Sequence, residues 1–231
     1  MTIADNLDGI RERIARAARR AGRDPKDIAL MAVTKTQPAE RIAEAYAAGQ
    51  RLFGENRVQE FAEKFGALTE LHGAEFHMIG HLQSNKVTKA AEIFGTVDSV
   101  DSARLAERLN AAAERAGKTL GVLIEINWGE AAKSGVAPGS AELERILAAA
   151  PSWPQLRIRG LMTVPPFTDD PEGARPYFRQ LRESRERLAE LPFVSLDVLS
   201  MGMSHDFEVA IEEGSNCVRI GTGIFGERVK G

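Results

Sequence analysis

"IALMAVTKTQPAERIAEAYAAGQ", residues 28–50, decides the fold. Its first third is a near-continuous apolar run that ends in Thr34-Lys35-Thr36. Its remainder, opened by Pro38 and closed by Gly49, carries the period of an amphipathic helix. A strand followed at once by a helix is one βα unit, and working outward the same alternation continues along the chain. The further strand-like runs are "RLFGEN" (51–56), "FHMIGH" (76–81), "TVDSVD" (96–101), "GVLIEIN" (121–127), "IRGLMTV" (158–164), "LDVLSMGMS" (196–204) and "CVRIGTGIF" (217–225). Near-continuous hydrophobicity, as in "GVLIEIN", suits strands covered on both faces.

Eight strands separated by single helical stretches predict an α/β fold, a single (β/α)8 TIM-type barrel, with an open doubly wound sheet as the alternative. We expect one domain over residues 1–231, with an extra N-terminal helix at 1–22 and the barrel at 28–226. After the eighth strand only "GERVKG" follows, so no closing helix and no C-terminal β-domain are expected. The N-terminal helix is then predicted to fill the ring position that a last helix would occupy. Asp101-Ser102 can cap the helix "ARLAERLNAAAERAG", and Pro165-Pro166 with Asp169-Asp170-Pro171 mark the longest loop.

The 231 residues, 43% of them hydrophobic, are enough for a sizeable core without disulfides. The lone cysteine, Cys217, has no intramolecular partner, which favours a reducing, cytoplasmic setting. The N-terminal stretch mixes charged and apolar residues and has no secretory h-region. A formal net charge of -3 gives no electrostatic case for nucleic acid or an anionic membrane, so a small molecule or another protein is the expected partner.

In such a barrel the functional residues gather at the carboxyl ends of the strands. Lys35 is at that edge, although an ordinary strand-end lysine snorkelling to water would look the same. The last two strands end in "SMGMSHD" and "VRIGTGIFG", which supply Ser200, Gly202 and Ser204 from one loop and Gly221, Thr222 and Gly223 from the other. Small and hydroxyl-bearing residues after strands seven and eight are what a phosphate cradle needs. Arg219 lies two residues before Gly221 and shares its face, so a permanent cation points into the barrel. A lysine nucleophile, a phosphate cradle and an arginine able to face a ring nitrogen are together the parts of a pyridoxal 5'-phosphate (PLP) site.

Two other patterns carry less. "GTGIFG" (221–226) matches G-x-G-x-x-G, but no helix and acidic residue follow it at the spacing a dinucleotide site needs. His77 and His81 have a metal-like spacing without further ligands nearby, so no metal is expected.

"AVTKTQP", "GENRVQE", "FHMIGHLQSNK", "EAAKSGV", "GLMTVPP", "LSMGMSHDFEVAI" and "VRIGTGIFGER", in this order, resemble the pyridoxal phosphate homeostasis protein family. The resemblance covers essentially the whole chain. It implies one barrel similar to the N-terminal domain of bacterial alanine racemase, holding PLP as an aldimine on Lys35. It also implies Ser204, Gly221 and Thr222 at the phosphate, Ser200 and Gly202 beside them, and Arg219 at the pyridine nitrogen. Asn56 and the "HMIGH" segment would line the ring or its approach. "GSNCVRIG" and Gly223 are small departures from the family's pattern and bear only on the shape of the phosphate loop.

An arginine at the ring nitrogen keeps that nitrogen unprotonated, which weakens the cofactor as an electron sink. A racemase of this barrel type also needs a second base. Tyr46 and Tyr177 both lie in helical stretches, where packing on the outer ring is expected, and Cys217 should be at the far end of its strand. The expected function is therefore intracellular PLP homeostasis without evident catalysis, as a monomer that passes PLP to apo-enzymes. A weakly active PLP-dependent amino-acid racemase is the alternative, and a cofactor-free Schiff-base aldolase is a third.

Overall fold

The computed structural model describes residues 1–130, 134–189, 191 and 194–226. Eight parallel strands close into a barrel in sequence order: β1 (Ala29–Val33), β2 (Leu52–Glu55), β3 (Glu75–Met78), β4 (Thr96–Val100), β5 (Leu120–Ile126), β6 (Leu156–Thr163), β7 (Val198–Met203) and β8 (Cys217–Ile220). The open-sheet alternative fails because β8 pairs with β1.

The helices are α1 (Ile3–Arg20), α2 (Ala39–Ala47), α3 (Val58–Phe65), α4 (Val87–Ile93), α5 (Ala103–Arg115), α6 (Ala141–Ala149), α7 (Arg175–Leu188), α8 (Phe207–Glu212) and α9 (Thr222–Phe225). Local chemistry explains several of their starts. Thr2 and Asp5 form a reciprocal capping box on α1, Ser102 Oγ accepts from Leu105 N at 3.2 Å, and Ser140 Oγ accepts from Leu143 N at 3.3 Å.

The main core lies between the barrel wall and the helices. At β2 and β3 it is aromatic: Phe61 of α3 sits 4.8 Å from the ring of Phe76 and 4.7 Å from that of Phe94, and Phe53 stacks on Phe76 at 5.3 Å. α1 buries Ile3, Leu7, Ile10 and Ile14 and packs against α2, α8 and α9. Arg13–Glu208 at 3.2 Å and Arg20–Glu212 at 3.0 Å tie it to α8. The N-terminal helix thus lies on the flank where the barrel closes.

One predicted element is divided. The run 217–225 is a strand only to Ile220; Gly221 turns the chain, and Thr222–Phe225 form a single helical turn. The cause is burial. Ile224 and Phe225 fold back into the core, and Asn6 Nδ2 of α1 donates to Ile224 O at 2.8 Å. The expectation that no helix follows falls on residues 227–231, which are outside the described residues.

Gly160 shows how closely the wall is fitted. A Cβ there would lie 1.9 Å from Val198 O on the neighbouring strand. Gly160→Ala must therefore spread β6 from β7, and we expect a loss of at least about 2 kcal/mol in denaturant unfolding. A change within experimental error would contradict this packing.

Candidate functional site

Lys35 stands two residues beyond β1, half-buried at the carboxyl edge of the barrel. The backbone beside it is strained. Thr36 has φ of 64°, a left-handed conformation that a β-branched residue adopts only when its surroundings impose it. The imposing groups come from β2 and α3. Thr36 N donates to Glu60 Oε1. Lys64 Nζ donates to Thr34 O at 3.1 Å and to Gln37 O at 2.9 Å, so one ammonium grips the chain on both sides of Lys35.

Lys64 is itself fixed by Glu55 Oε1 at 2.8 Å and Glu60 Oε1 at 3.3 Å, and Thr34 Oγ1 donates to Glu55 Oε1 at 2.6 Å. Glu55 is completely buried. Burial raises its carboxyl above the usual carboxylate range even though Lys64 and Thr34 pull it down. Sequence reasoning missed this clamp. Its only signal was a carboxylate closing the apolar run of β2, which demands a partner.

β8 lies beside β1 with Met31 opposite Arg219 and Ala32 opposite Ile220. Arg219 is 4% exposed. Its Nη1 donates to Ser200 Oγ at 2.7 Å and its Nη2 to Thr163 O at 2.7 Å, both uncharged acceptors. Burial weakens the guanidinium's hold on its proton, while Asp98, Glu125 and Asp206 nearby act to keep it. Thr163 is fixed in turn, because its Oγ1 donates to Ile126 O and accepts from Trp128 Nε1, each at 2.8 Å.

Ser200 Oγ thus accepts from Arg219 inside the barrel. Gly202, with φ of 94°, lets β7 meet α8; a Cβ there would lie 2.6 Å from that of Ala210. The loops beyond these strands converge. A Cβ on Gly221 would be 3.4 Å from Val33 O, and one on Gly223 would be 3.8 Å from Ser204 Oγ. The N–H groups of Thr222 and Gly223, in the first turn of α9, have no backbone acceptor among the described residues.

Asn56, just past β2, lines a cleft of about 710 Å³ with Gly80 and His81. Its Oδ1 is buried without a hydrogen-bond partner among the described residues. His81 Nδ1 lies 3.5 Å from Asp101 Oδ2. His77 is not with them; it bonds to Asp98 at the opposite end of the barrel. Cys217 is also at that end, and burial pushes its thiol up to about 12. In "EAAKSGV", Ala131, Ala132 and Lys133 are outside the described residues, whereas Ser134 Oγ donates to Glu125 Oε2 at 2.8 Å.

The two tyrosines separate. Tyr46 donates to His72 O at 2.8 Å on the outer ring. Tyr177, expected there too, instead sits in the first turn of α7 at the carboxyl edge, 5.8 Å from the ring of Trp128.

Residues 6–229 match the family model for the alanine racemase N-terminal domain. The chain is 45% identical over 229 residues to a pyridoxal phosphate homeostasis protein of Aquifex aeolicus, covering 99% of each. It is 46% identical over 234 residues to the protein of the same name from Escherichia coli K12, covering 98% of this chain and 97% of that one. The structure of PipY from Synechococcus elongatus with PLP bound is similar at a TM-score of 0.84 and 38% identity, over 97% of this chain and all of that one. An alanine racemase from Streptomyces coelicolor shares the fold, with a TM-score of 0.73 and 20% identity; 97% of this chain matches 59% of that one.

The clamp can be tested by Lys64→Met, which leaves the Glu55 carboxylate buried and unpaired. We expect a stability loss of about 3 kcal/mol near pH 7.5. A carboxyl whose folded pKa is raised contributes stability that is full below its unfolded value and is lost as pH rises through the folded value. Removing Lys64 raises Glu55 further, so the loss should shrink markedly near about pH 4.5. An equal loss at both pH values in thermal melts would contradict the assignment.

Proposed function

The chain belongs to the alanine racemase N-terminal domain family and stands among its pyridoxal phosphate homeostasis proteins, and on that premise we propose that it is an intracellular PLP-binding homeostasis factor. The observation that carries this reading is the juxtaposition of β1 and β8. It sets the strand leading to Lys35 directly against the strand that bears Arg219 and the glycine turn.

The residues at the carboxyl face fit the cofactor. Thr222 and Gly223 offer two N–H donors without backbone acceptors among the described residues, beside Ser204, and these suit a phosphate. The orphaned Oδ1 of Asn56 suits a ring hydroxyl. Arg219 supplies a fixed cation whose present partners are neutral, which suits an unprotonated ring nitrogen. PLP supplies an aldehyde that condenses with an amine and a ring that withdraws electrons. Lys35 Nζ is the amine we assign to that condensation, held in place by the strained turn at Thr36.

Arg219 also supports binding without turnover. It is always protonated, so it does not pass a proton to the ring, which disfavours long-lived carbanions and with them broad transaminase or decarboxylase chemistry. The convergent but shallow placement of Lys35, half-buried rather than sealed, suits release of the cofactor to apo-enzymes, its proposed recipients. We place the protein in the cytoplasm as a monomer.

One observation favours the racemase reading, the position of Tyr177 at the carboxyl edge. The two readings part in heavy water. With PLP and L-alanine, we expect no exchange of the α-proton beyond that of free PLP at the same concentration, and a new visible absorption band at one equivalent of PLP per chain. Enzymatic exchange that is lost in Tyr177→Phe would overturn the carrier reading, and absence of a stoichiometric band would overturn binding itself.

A further inference from the structure

The N-terminal end of a (β/α)8 barrel is ordinarily filled with branched apolar side chains and serves stability. Here several inward positions are polar, beside Ala29, Leu52, Leu123 and Val198. β3 contributes Glu75 and His77, β4 contributes Asp98, and β6 contributes Arg159. They surround a cavity of about 210 Å³. Glu75, His77, Thr96 and Arg159 also line an outer groove of about 640 Å³, so the two spaces share a wall. The groove adds Arg157 and an apolar side formed by Leu68, Leu71 and Ile93.

His77 Nδ1 lies 3.0 Å from Asp98 Oδ1 and 3.3 Å from Oδ2, which leaves Nε2 on the side of Glu75, 4.0 Å away. Burial works against an imidazolium here, but Asp98 and Glu75 outweigh it, so His77 titrates above its ordinary value; Arg159 acts in the opposite sense. Arg159 is exposed and makes no hydrogen bond or ion pair among the described residues. Among the described residues Arg157 reaches only Pro154 O, at 3.5 Å. The nearby Asp197 is engaged by Ser195.

Three cationic groups therefore face two carboxylates across the shared wall, Arg157, Arg159 and His77 against Asp98 and Glu75. With Asp197 beside the two arginines the charges nearly cancel, so what the site offers an anion is the exposed guanidinium of Arg159, and Glu75 at the rim would repel a dianion. An apolar wall beside that charge asks for a ligand with a hydrocarbon body.

We propose that the N-terminal mouth of the barrel is a second ligand site, which takes a small organic monocarboxylate with its body on the Leu68–Leu71 wall and its carboxylate held by Arg159 and His77 Nε2. The site lies at the opposite end of the barrel from Lys35 and stands independently of the cofactor reading.

The probe is benzoate, titrated into PLP-loaded protein carrying ring-labelled histidine, with the His77 resonances followed by NMR. We expect a saturable shift of His77 and a rise in its pKa on binding, since a bound carboxylate favours the imidazolium. Arg159→Gln should weaken benzoate by about tenfold, the usual worth of a charge-assisted hydrogen bond. Inorganic phosphate should bind more weakly than benzoate. Should Arg159→Gln fail to fold, Arg159→Lys keeps the charge, loses the bidentate fork and should still weaken binding. A His77 shift that does not saturate, unchanged affinity in the Arg159 variants, or tighter binding of phosphate would each overturn the proposal.

Discussion

A guanidinium enclosed in the barrel, with no carboxylate in direct contact among the described residues, is the constraint on which the carboxyl face depends. Arg219 keeps its charge at any physiological pH, and taking that charge out of water is costly unless every donor finds an acceptor. β7 and β6 meet part of that demand with Ser200 Oγ and Thr163 O, and Trp128 and Ile126 in turn hold Thr163. Carboxylates stand farther off, in Asp98, Glu125 and Asp206, and act from a distance to keep the cation charged.

The second support is the clamp behind Lys35. A left-handed Thr36 is held because Glu60 takes its N–H and Lys64 takes the carbonyls of Thr34 and Gln37. The clamp depends on a buried ion pair, Lys64–Glu55, whose members are each destabilising alone. Such pairs contribute less to net stability than to fixing one conformation, and here the conformation fixed is that of the loop carrying the proposed anchor.

Much of this was legible in the sequence, for reasons that are local. Apolar runs such as "GVLIEIN", helix stops such as Gly49 and Gly117, and Pro38 before α2 each report on a few neighbouring residues, and together they imply the barrel and the location of Lys35, Arg219 and the glycine turn at one end. What stayed hidden depends on pairs far apart in the chain. Ser200 looked like part of a phosphate loop until its distance to Arg219 was known. Nothing near Lys64 in the chain announces its buried partner, and the end of the barrel that holds His77 depends on where β3 begins, at Glu75. Tyr177 misled because its helical stretch was assigned to the outer ring as a whole, whereas α7 begins at Arg175 and its first turn lies at the barrel's mouth.

The central claim is that Lys35 is the covalent anchor. It is tested most directly by adding one equivalent of PLP, reducing with borohydride and mapping the peptides by mass. The account predicts a phosphopyridoxyl group on Lys35 as the dominant adduct. An adduct found chiefly on another lysine, or none at all, would contradict it.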